Sequence, residues 1–162
     1  MTDLGLQQAL YEKIVEMTQS YVNDDLADWT TFKVYKQDKP YKIDDLIDEE
    51  TSIAESDQEN YIIIMIDDED TVDNGEWVVQ IYFLVSIGEY YEEHNGNIVI
   101  LNMLNEIWRR LNEDWIIGEK YRPEKQAQKR LNHECYPNYY EGALVTYWRL
   151  PDTNTVYPEE LI

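Results

Sequence analysis

Hydrophobic residues recur along the chain at helical spacings in two segments, residues 3–22 and residues 98–114. In each segment the apolar side chains lie three or four positions apart, which predicts an amphipathic helix with one apolar stripe. The stripe of the first helix consists of Leu6, Leu10, Ile14, Met17 and Tyr21. That of the second helix consists of Leu101, Leu104, Ile107, Trp108 and Leu111.

Four further segments have the composition or alternation of β-strands. Trp29–Tyr35 is rich in aromatic and β-branched residues, and Tyr61–Ile66 is apolar on both faces, as in a buried strand. Trp77–Tyr90 alternates between a fully apolar and a mixed face, which predicts a central strand covered by helix on one side. A last strand is predicted over Tyr139–Leu150, before Pro151, which lacks a backbone donor.

The segments between these elements are polar. Residues 44–60 carry a heavy acidic run and predict an exposed loop. Asp67–Gly75 is interpreted as an acidic connector that contains a turn. Residues 121–136 are interpreted as irregular or weakly helical, and residues 152–162 as a C-terminal arm.

The order of these elements predicts a single α+β domain over residues 1–151. Long strands joined by short turns favour a mixed, mainly antiparallel sheet of about four strands. The two amphipathic helices would pack on one face of that sheet. No internal repeat and no break in composition marks a second domain.

The charge of the chain narrows the classes of function that fit it. Its 162 residues include 13 basic and 34 acidic side chains, for a formal net charge of −21. Such an excess of acid disfavours binding to nucleic-acid phosphates and to an anionic membrane surface. Hydrophobic residues at 43% and aromatic residues at 13% nevertheless exclude a disordered acidic tail.

Residues with catalytic or metal-binding chemistry are few and do not form a known pattern. His133 and Cys135 offer two metal ligands, whereas a zinc site needs about four, and His94 is distant in sequence. Cys135 lacks the surroundings of a known cysteine nucleophile. Counted from Asp68, the acidic run has Asp73 where a calcium-binding EF-hand loop needs Gly, although a weak cation site stays compatible with it. The sequence therefore predicts no enzyme and no cofactor.

The last two thirds of the chain show one succession of segments. The long strand Trp77–Tyr90 is followed by a charged turn with Gly96, by the helix Ile98–Leu111, and by Tyr136–Gly142 leading into the final strand. This succession resembles the small tail terminator, or tail completion, proteins of long-tailed phages. The resemblance covers about residues 60–151 and is loose in the N-terminal third.

The resemblance implies a structural virion protein that assembles in the host cytoplasm as a hexameric ring. The ring would cap the end of the tail tube, terminate tail polymerisation and present the surface to which the head–tail connector docks. Its partners would be other copies of itself, the tail tube protein and the connector protein. DNA would pass through the ring without specific binding, and no membrane would be involved.

A ring of this kind needs aromatic patches or exposed strand edges for its neighbours. An acidic lining of its lumen would repel DNA phosphates, and a solvated outer face is the alternative location for that acid. The candidate residues for contacts with other subunits or the tube are Trp29, Tyr35, Tyr82, Tyr90, Tyr139, Tyr140, Tyr147 and Trp148. The candidate lumen residues are Asp48, Glu49, Glu50, Asp67, Asp68, Glu69 and Asp70.

Two other functions are compatible with the sequence. The first is a different neck or head–tail connector component. The second is an acidic inhibitor that mimics DNA and binds a host nuclease, as a monomer or dimer with salt-sensitive affinity.

Overall fold

The computed structural model describes residues 2–20, 32–38, 60–72, 75–87, 96–113, 117–118, 121–132 and 140–150. Within these ranges lie two helices, α1 (Asp3–Ser20) and α2 (Gly96–Glu113). The same ranges contain the strands β1 (Lys33–Lys36), β2 (Tyr61–Thr71), β3 (Trp77–Ile87), β4 (Pro123–Leu131) and β5 (Tyr140–Leu150).

The strands form one mixed sheet in the order β1-β2-β3-β5-β4. β1 is parallel to β2, and the other pairs are antiparallel. In the centre of the sheet, β3 pairs with β5 along its whole length, from Trp77 opposite Leu150 to Ile87 opposite Tyr140. The predicted α+β class is confirmed, with five strands where about four were expected.

Both helices pack on the same face of the sheet. α1 contacts β1 and β2, whereas α2 contacts β3, β4 and β5. The core between the helices and the sheet contains the apolar face of β3 and four of the five predicted stripe residues of α1: Leu6, Leu10, Ile14 and Met17. The fifth, Tyr21, lies outside the described residues. Five alternate side chains of β3 are fully buried there: Val79, Ile81, Phe83, Val85 and Ile87. The alternation predicted for this strand is therefore confirmed, because a strand directs successive side chains to opposite faces.

The prediction of an irregular or helical segment over residues 121–136 is wrong for its first half. Pro123–Leu131 is the edge strand β4, although its sequence is polar and has no alternation. The strand forms because its backbone pairs with β5, from Ala127 opposite Thr146 to Leu131 opposite Gly142. A register shift between Pro123 and Ala127 adds a bulge to this edge.

The acidic residues after Ile66 were expected in a connector, and the structure places Asp67–Thr71 in β2 instead. A bulge between Ile66 and Glu69 shifts the register, after which Asp70 pairs with Val78. The backbone can continue the ladder here because a strand at a solvated position tolerates charged side chains. β2 ends at Thr71 and β3 begins at Trp77. Between them the Val72 N–H donates to the carbonyl oxygen of Glu76, and the Gly75 N–H donates to the carbonyl oxygen of Val72.

Several sequence predictions concern residues outside the described ranges. These are the acidic loop over residues 44–60 except Asn60, the first three residues of the predicted strand Trp29–Tyr35, and the arm over residues 152–162. Within the described part, β1 begins at Lys33 rather than Trp29 and ends at Lys36.

Candidate functional site

The face of the sheet opposite the helices carries four tyrosines on four strands. The strand registers place Tyr35 beside Ile63, Tyr61 beside Ser86, and Tyr82 beside Val145. Tyr147 is paired with Gln80 on the same face. No helix among the described residues packs on this side, and Tyr35, Tyr82 and Tyr147 are all partly exposed. We name these three residues and Tyr61 the tyrosine face.

Two contacts hold rings of the tyrosine face in place. Tyr35 and Tyr61 meet edge to face, with ring centroids 6.5 Å apart and an interplanar angle of 62°. The guanidinium carbon of Arg130 lies 5.9 Å from the centroid of the Tyr82 ring, and this side chain donates a hydrogen bond of 3.4 Å to the Tyr82 hydroxyl. Rings ordered in this way lose little conformational entropy when a partner covers them.

The hydroxyl of Ser86 lies on the same face and is buried. It is opposite Tyr61 in β2 and Glu141 in β5, and its side chain has no exposed surface. Among the described residues it has no hydrogen-bond partner. A buried hydroxyl without a hydrogen-bond partner costs free energy, so Ser86 lowers the stability of the apolar part of this face.

The structure places the described members of the predicted aromatic contact residues in three different environments. Tyr35, Tyr82 and Tyr147 lie together on the tyrosine face. Trp148 is 0% exposed and belongs to the core, so it is not available to a partner and its assignment to an interface is corrected. Tyr140 packs beneath Gly96 at the start of α2. Trp29, Tyr90 and Tyr139 lie outside the described residues.

The burial of Trp148 has a polar cause as well as an apolar one. Its indole Nε1 donates a hydrogen bond of 2.8 Å to the hydroxyl of Thr146, which in turn donates one of 3.0 Å to the carbonyl oxygen of Ile81. The buried ring thus has its single donor satisfied, as buried tryptophans generally require. The pattern of alternation within β5 could have placed Trp148 on the core face, since it lies an even number of positions from Leu144 and Leu150.

One exposed aromatic residue was missed by the sequence reasoning. Trp77, the first residue of β3, is 44% exposed. Its position at the end of a strand, next to the acidic segment, is the signal that could have identified it as exposed. Leu4 and Ile98, each in the first turn of a helix, are the other large apolar side chains that the described structure exposes.

The described part of the predicted acidic lumen, Asp67–Asp70, is exposed to solvent. Glu69 lies near Asp3 at the start of α1, and the pKa of Glu69 is raised by partial burial, by the charge of Asp3 and by a hydrogen bond to that side chain. The closeness of these two carboxyl groups is a local excess of negative charge. The other predicted lumen residues, Asp48, Glu49 and Glu50, lie outside the described residues.

A groove of about 400 Å³ runs between α1 and β1. Tyr11 and Val15 line it from the helix, and Phe32 and Tyr35 line it from the strand side. Its volume is near the lower limit of about 300 Å³ for small-molecule pockets. The groove lies on the helix side of the sheet, because α1 forms one of its walls.

The described residues contain no group of three or more His, Cys, Asp or Glu side chains that could hold a metal ion. His94, His133 and Cys135 lie outside the described ranges. Neither of the two described helices has the length and apolar character needed to cross a bilayer.

The chain matches no protein-family model, and a comparison with curated proteins gives no significant match.

Proposed function

We propose that this protein is a structural subunit of a long-tailed phage or prophage particle. It forms a ring, most simply a hexamer, on the end of the tail tube, terminates tail polymerisation and offers the surface for head–tail joining. The proposal rests on the succession of elements described from the sequence and on one structural observation, the tyrosine face. Assembly in the host cytoplasm and a final location in the tail or neck follow from this role.

The tyrosine face supports a role in protein–protein contact. Tyr35, Tyr82 and Tyr147 come from three different strands and stand on the side of the sheet that the described helices leave uncovered. Tyrosine is enriched in the centres of protein interfaces, because its ring gives a large rigid contact area and its hydroxyl tolerates water. A rigid sheet that presents partly exposed tyrosines is suited to packing against tube subunits.

The acidic character of the chain supports passage of DNA without binding. The net charge of the protein is −21, and the exposed run Asp67–Asp70 contributes four of its carboxylates. A surface of this sign repels phosphate, so DNA that crosses the ring would meet no attractive site.

The test combines the purified chain with purified tail tube protein. We expect a species with the mass of a ring, free in solution or assembled only on the tube, and electron micrographs of tubes with a cap at one end. A gene deletion in the phage should give overlong tails, which separates a terminator from another neck component.

The contribution of the tyrosine face is tested with Tyr82→Ala and Tyr147→Ala. Truncation of an interface tyrosine costs about 1.4 kcal/mol or more, so binding to tube ends should weaken at least about tenfold. Tyr11→Ala is the matched control, because Tyr11 is a partly buried tyrosine of α1 on the other side of the sheet.

A stable monomer that ignores tube ends would overturn the proposal. If that monomer instead inhibited a nuclease with a strongly salt-dependent affinity, the protein would be an acidic mimic of DNA.

A further inference from the structure

The outer strand β4 is a basic element in an acidic protein. Residues 122–131 contain one acidic side chain, Glu124, and four basic ones: Arg122, Lys125, Lys129 and Arg130. β4 pairs only with β5 in the described sheet, so its other edge has backbone donors and acceptors available for a further strand. Lys125, Lys129 and Arg130 are all exposed.

The positive charge of β4 is not neutralised by the contacts that the structure shows. Glu124, the acidic residue of the strand, accepts a hydrogen bond of 2.9 Å from Arg149 of β5 and is thereby paired. Lys129 donates to the side-chain oxygen of Asn105, a neutral group. Arg130 donates to the amide oxygen of Gln128 at 3.1 Å, which is also neutral. The edge therefore keeps a net positive field.

The opposite side of the sheet has an edge of opposite charge. In the part of the sheet that the structure describes, β1 covers β2 only from Tyr61 to Ile64, and the side chain of Gln37 pairs with the backbone of Ile66. Beyond that point the five residues Asp67–Thr71 are exposed strand residues, and four of them are acidic. Partial burial, and after it the nearby charge of Asp3, raises the pKa of Glu69 at this edge, and a neighbouring cation would offset the contribution of Asp3.

We infer that the β4 edge of one copy docks head to tail on the Asp67–Thr71 edge of β2 in a second copy. The sheet would continue from one subunit into the next, with backbone hydrogen bonds supplying affinity and the two sets of charges supplying selectivity. This inference rests on the proposed function, because it assigns the contact through which the subunits of the ring join.

The charges also exclude the symmetrical alternatives. Two β4 edges would place lysines and arginines against each other, and two β2 edges would place aspartates against each other, and like charges in contact are unfavourable. The remaining pairing joins different surfaces of the two copies. A contact of this type repeats from copy to copy, and it gives a closed ring when the rotation between copies closes.

Charge and bulges at a strand edge are also a known protection against unwanted pairing. That role predicts that neutralising or reversing the charge of one edge increases self-association, whereas docking between the two edges predicts a loss. The sign of the change therefore separates the two explanations.

The experiment uses two charge-reversed forms of the full chain. The first carries Lys125→Glu with Lys129→Glu, and the second carries Asp67→Lys with Asp70→Lys. Each form alone would bring like charges together at the contact, and we expect its self-association to weaken at least about tenfold. An equimolar mixture restores opposite charges at every contact, so association should return to the wild-type level.

The first readout is the molar mass measured by light scattering at a series of protein and salt concentrations. The second is circular dichroism, which confirms folding. Wild-type association should weaken as the salt concentration rises, because the charges that join the copies are exposed. Glu12→Lys with Glu16→Lys, at two exposed positions of α1, changes the net charge by the same amount and sign as Asp67→Lys with Asp70→Lys. It is the matched control for that form and should associate like the wild type or more strongly.

The outcomes distinguish this inference from the proposed function. Wild-type assembly in either reversed form, or failure of the mixture to recover, would overturn the edge-to-edge contact while leaving the ring intact as a proposal. A wild-type chain that stays monomeric at all concentrations and on tube ends would overturn both.

Discussion

The side-chain amide of Gln37 pairs with the backbone of Ile66 as a further strand residue would. The Oε1 atom of Gln37 accepts a hydrogen bond of 3.0 Å from the Ile66 N–H, and its Nε2 donates one of 2.9 Å to the Ile66 carbonyl oxygen. Gln7 of α1 donates to the same Oε1 atom at 2.9 Å and to the carbonyl oxygen of Ile64 at 2.9 Å. One amide thus ends the β1–β2 ladder and joins it to the helix.

This geometry predicts that Gln37→Glu destabilises the protein at neutral pH. The substitution keeps the size and the accepting oxygen but replaces the donor that faces the Ile66 carbonyl with a second oxygen. Because this hydrogen bond is exposed, its loss should lower the free energy of unfolding by about 0.5–1.5 kcal/mol, which urea denaturation would show as a lower midpoint. The deficit should shrink at acidic pH, where the protonated carboxyl can donate again.

Gln128→Glu is the matched control for that change. The Gln128 side chain acts as an acceptor for Arg130, and a carboxylate preserves this role. Its stability should therefore stay within about 0.5 kcal/mol of wild type. Equal effects of the two substitutions would contradict the special role of Gln37.

The start of α2 leaves no room for a side chain larger than hydrogen at Gly96. A Cβ atom there would lie 2.0 Å from Cδ2 of Tyr140. We expect Gly96→Ala to lower the free energy of unfolding by about 1–3 kcal/mol, because the ring must move from a packed position. The melting temperature and urea midpoint measure this loss.

A double-mutant cycle tests the cause of that loss. The double mutant Gly96→Ala with Tyr140→Ala should lose less free energy of unfolding than the two single mutants lose in sum, because the ring that creates the clash is gone. Asn102→Ala, at an exposed position of the same helix, is the control for an added alanine and should be close to neutral. Strict additivity would exclude the steric explanation.

The raised pKa of Glu69 predicts that this carboxylate opposes folding when it is ionised. The pKa in the folded chain is above that in the unfolded chain, so the penalty is full at neutral pH and disappears as the pH falls below the ordinary carboxyl range. Glu69→Gln should therefore stabilise the protein at neutral pH, by at most about 1 kcal/mol because the site is exposed to screening solvent. Unfolding midpoints at neutral and acidic pH test this, and no gain at neutral pH would contradict it.

For Glu106 we expect the opposite effect: the ionised carboxylate stabilises the folded chain. Hydrogen bonds from Arg109 lower its pKa against the opposing effect of burial, and Arg110 adds to the lowering. The stabilisation is present above the ordinary carboxyl pKa and is lost as the pH falls through the lower folded value. Glu106→Gln should cost about 0.5–1 kcal/mol at neutral pH, with no difference from wild type in acid.

Glu113→Gln serves as the control on the same helix. Among the described residues Glu113 pairs only with Arg109, and both side chains are more than half exposed. Exposed pairs contribute roughly 0–1 kcal/mol, so this change should have the smaller effect. A larger loss of stability from Glu113→Gln than from Glu106→Gln would contradict this prediction.

The candidate site could be predicted only in part. Tyr35, Tyr82 and Tyr147 were identified from residue type, because tyrosine tolerates partial exposure. Trp148 was assigned to the same group and lies in the core, since residue type alone does not determine which face of β5 a ring occupies. The basic edge was not predicted, because its residues are far from the acidic run in sequence and the two edges are related only through the sheet.

The amino-acid sequence by itself determined the elements that bury their own hydrophobic residues. Periodic apolar positions predict α1, α2 and β3, whereas a short, β-branched, continuous apolar run predicts the first half of β2. β4 and the acidic end of β2 carry no such pattern. Only the tertiary structure decided that they are strands, because their stability comes from backbone pairing with β5 and β3 rather than from side chains of their own.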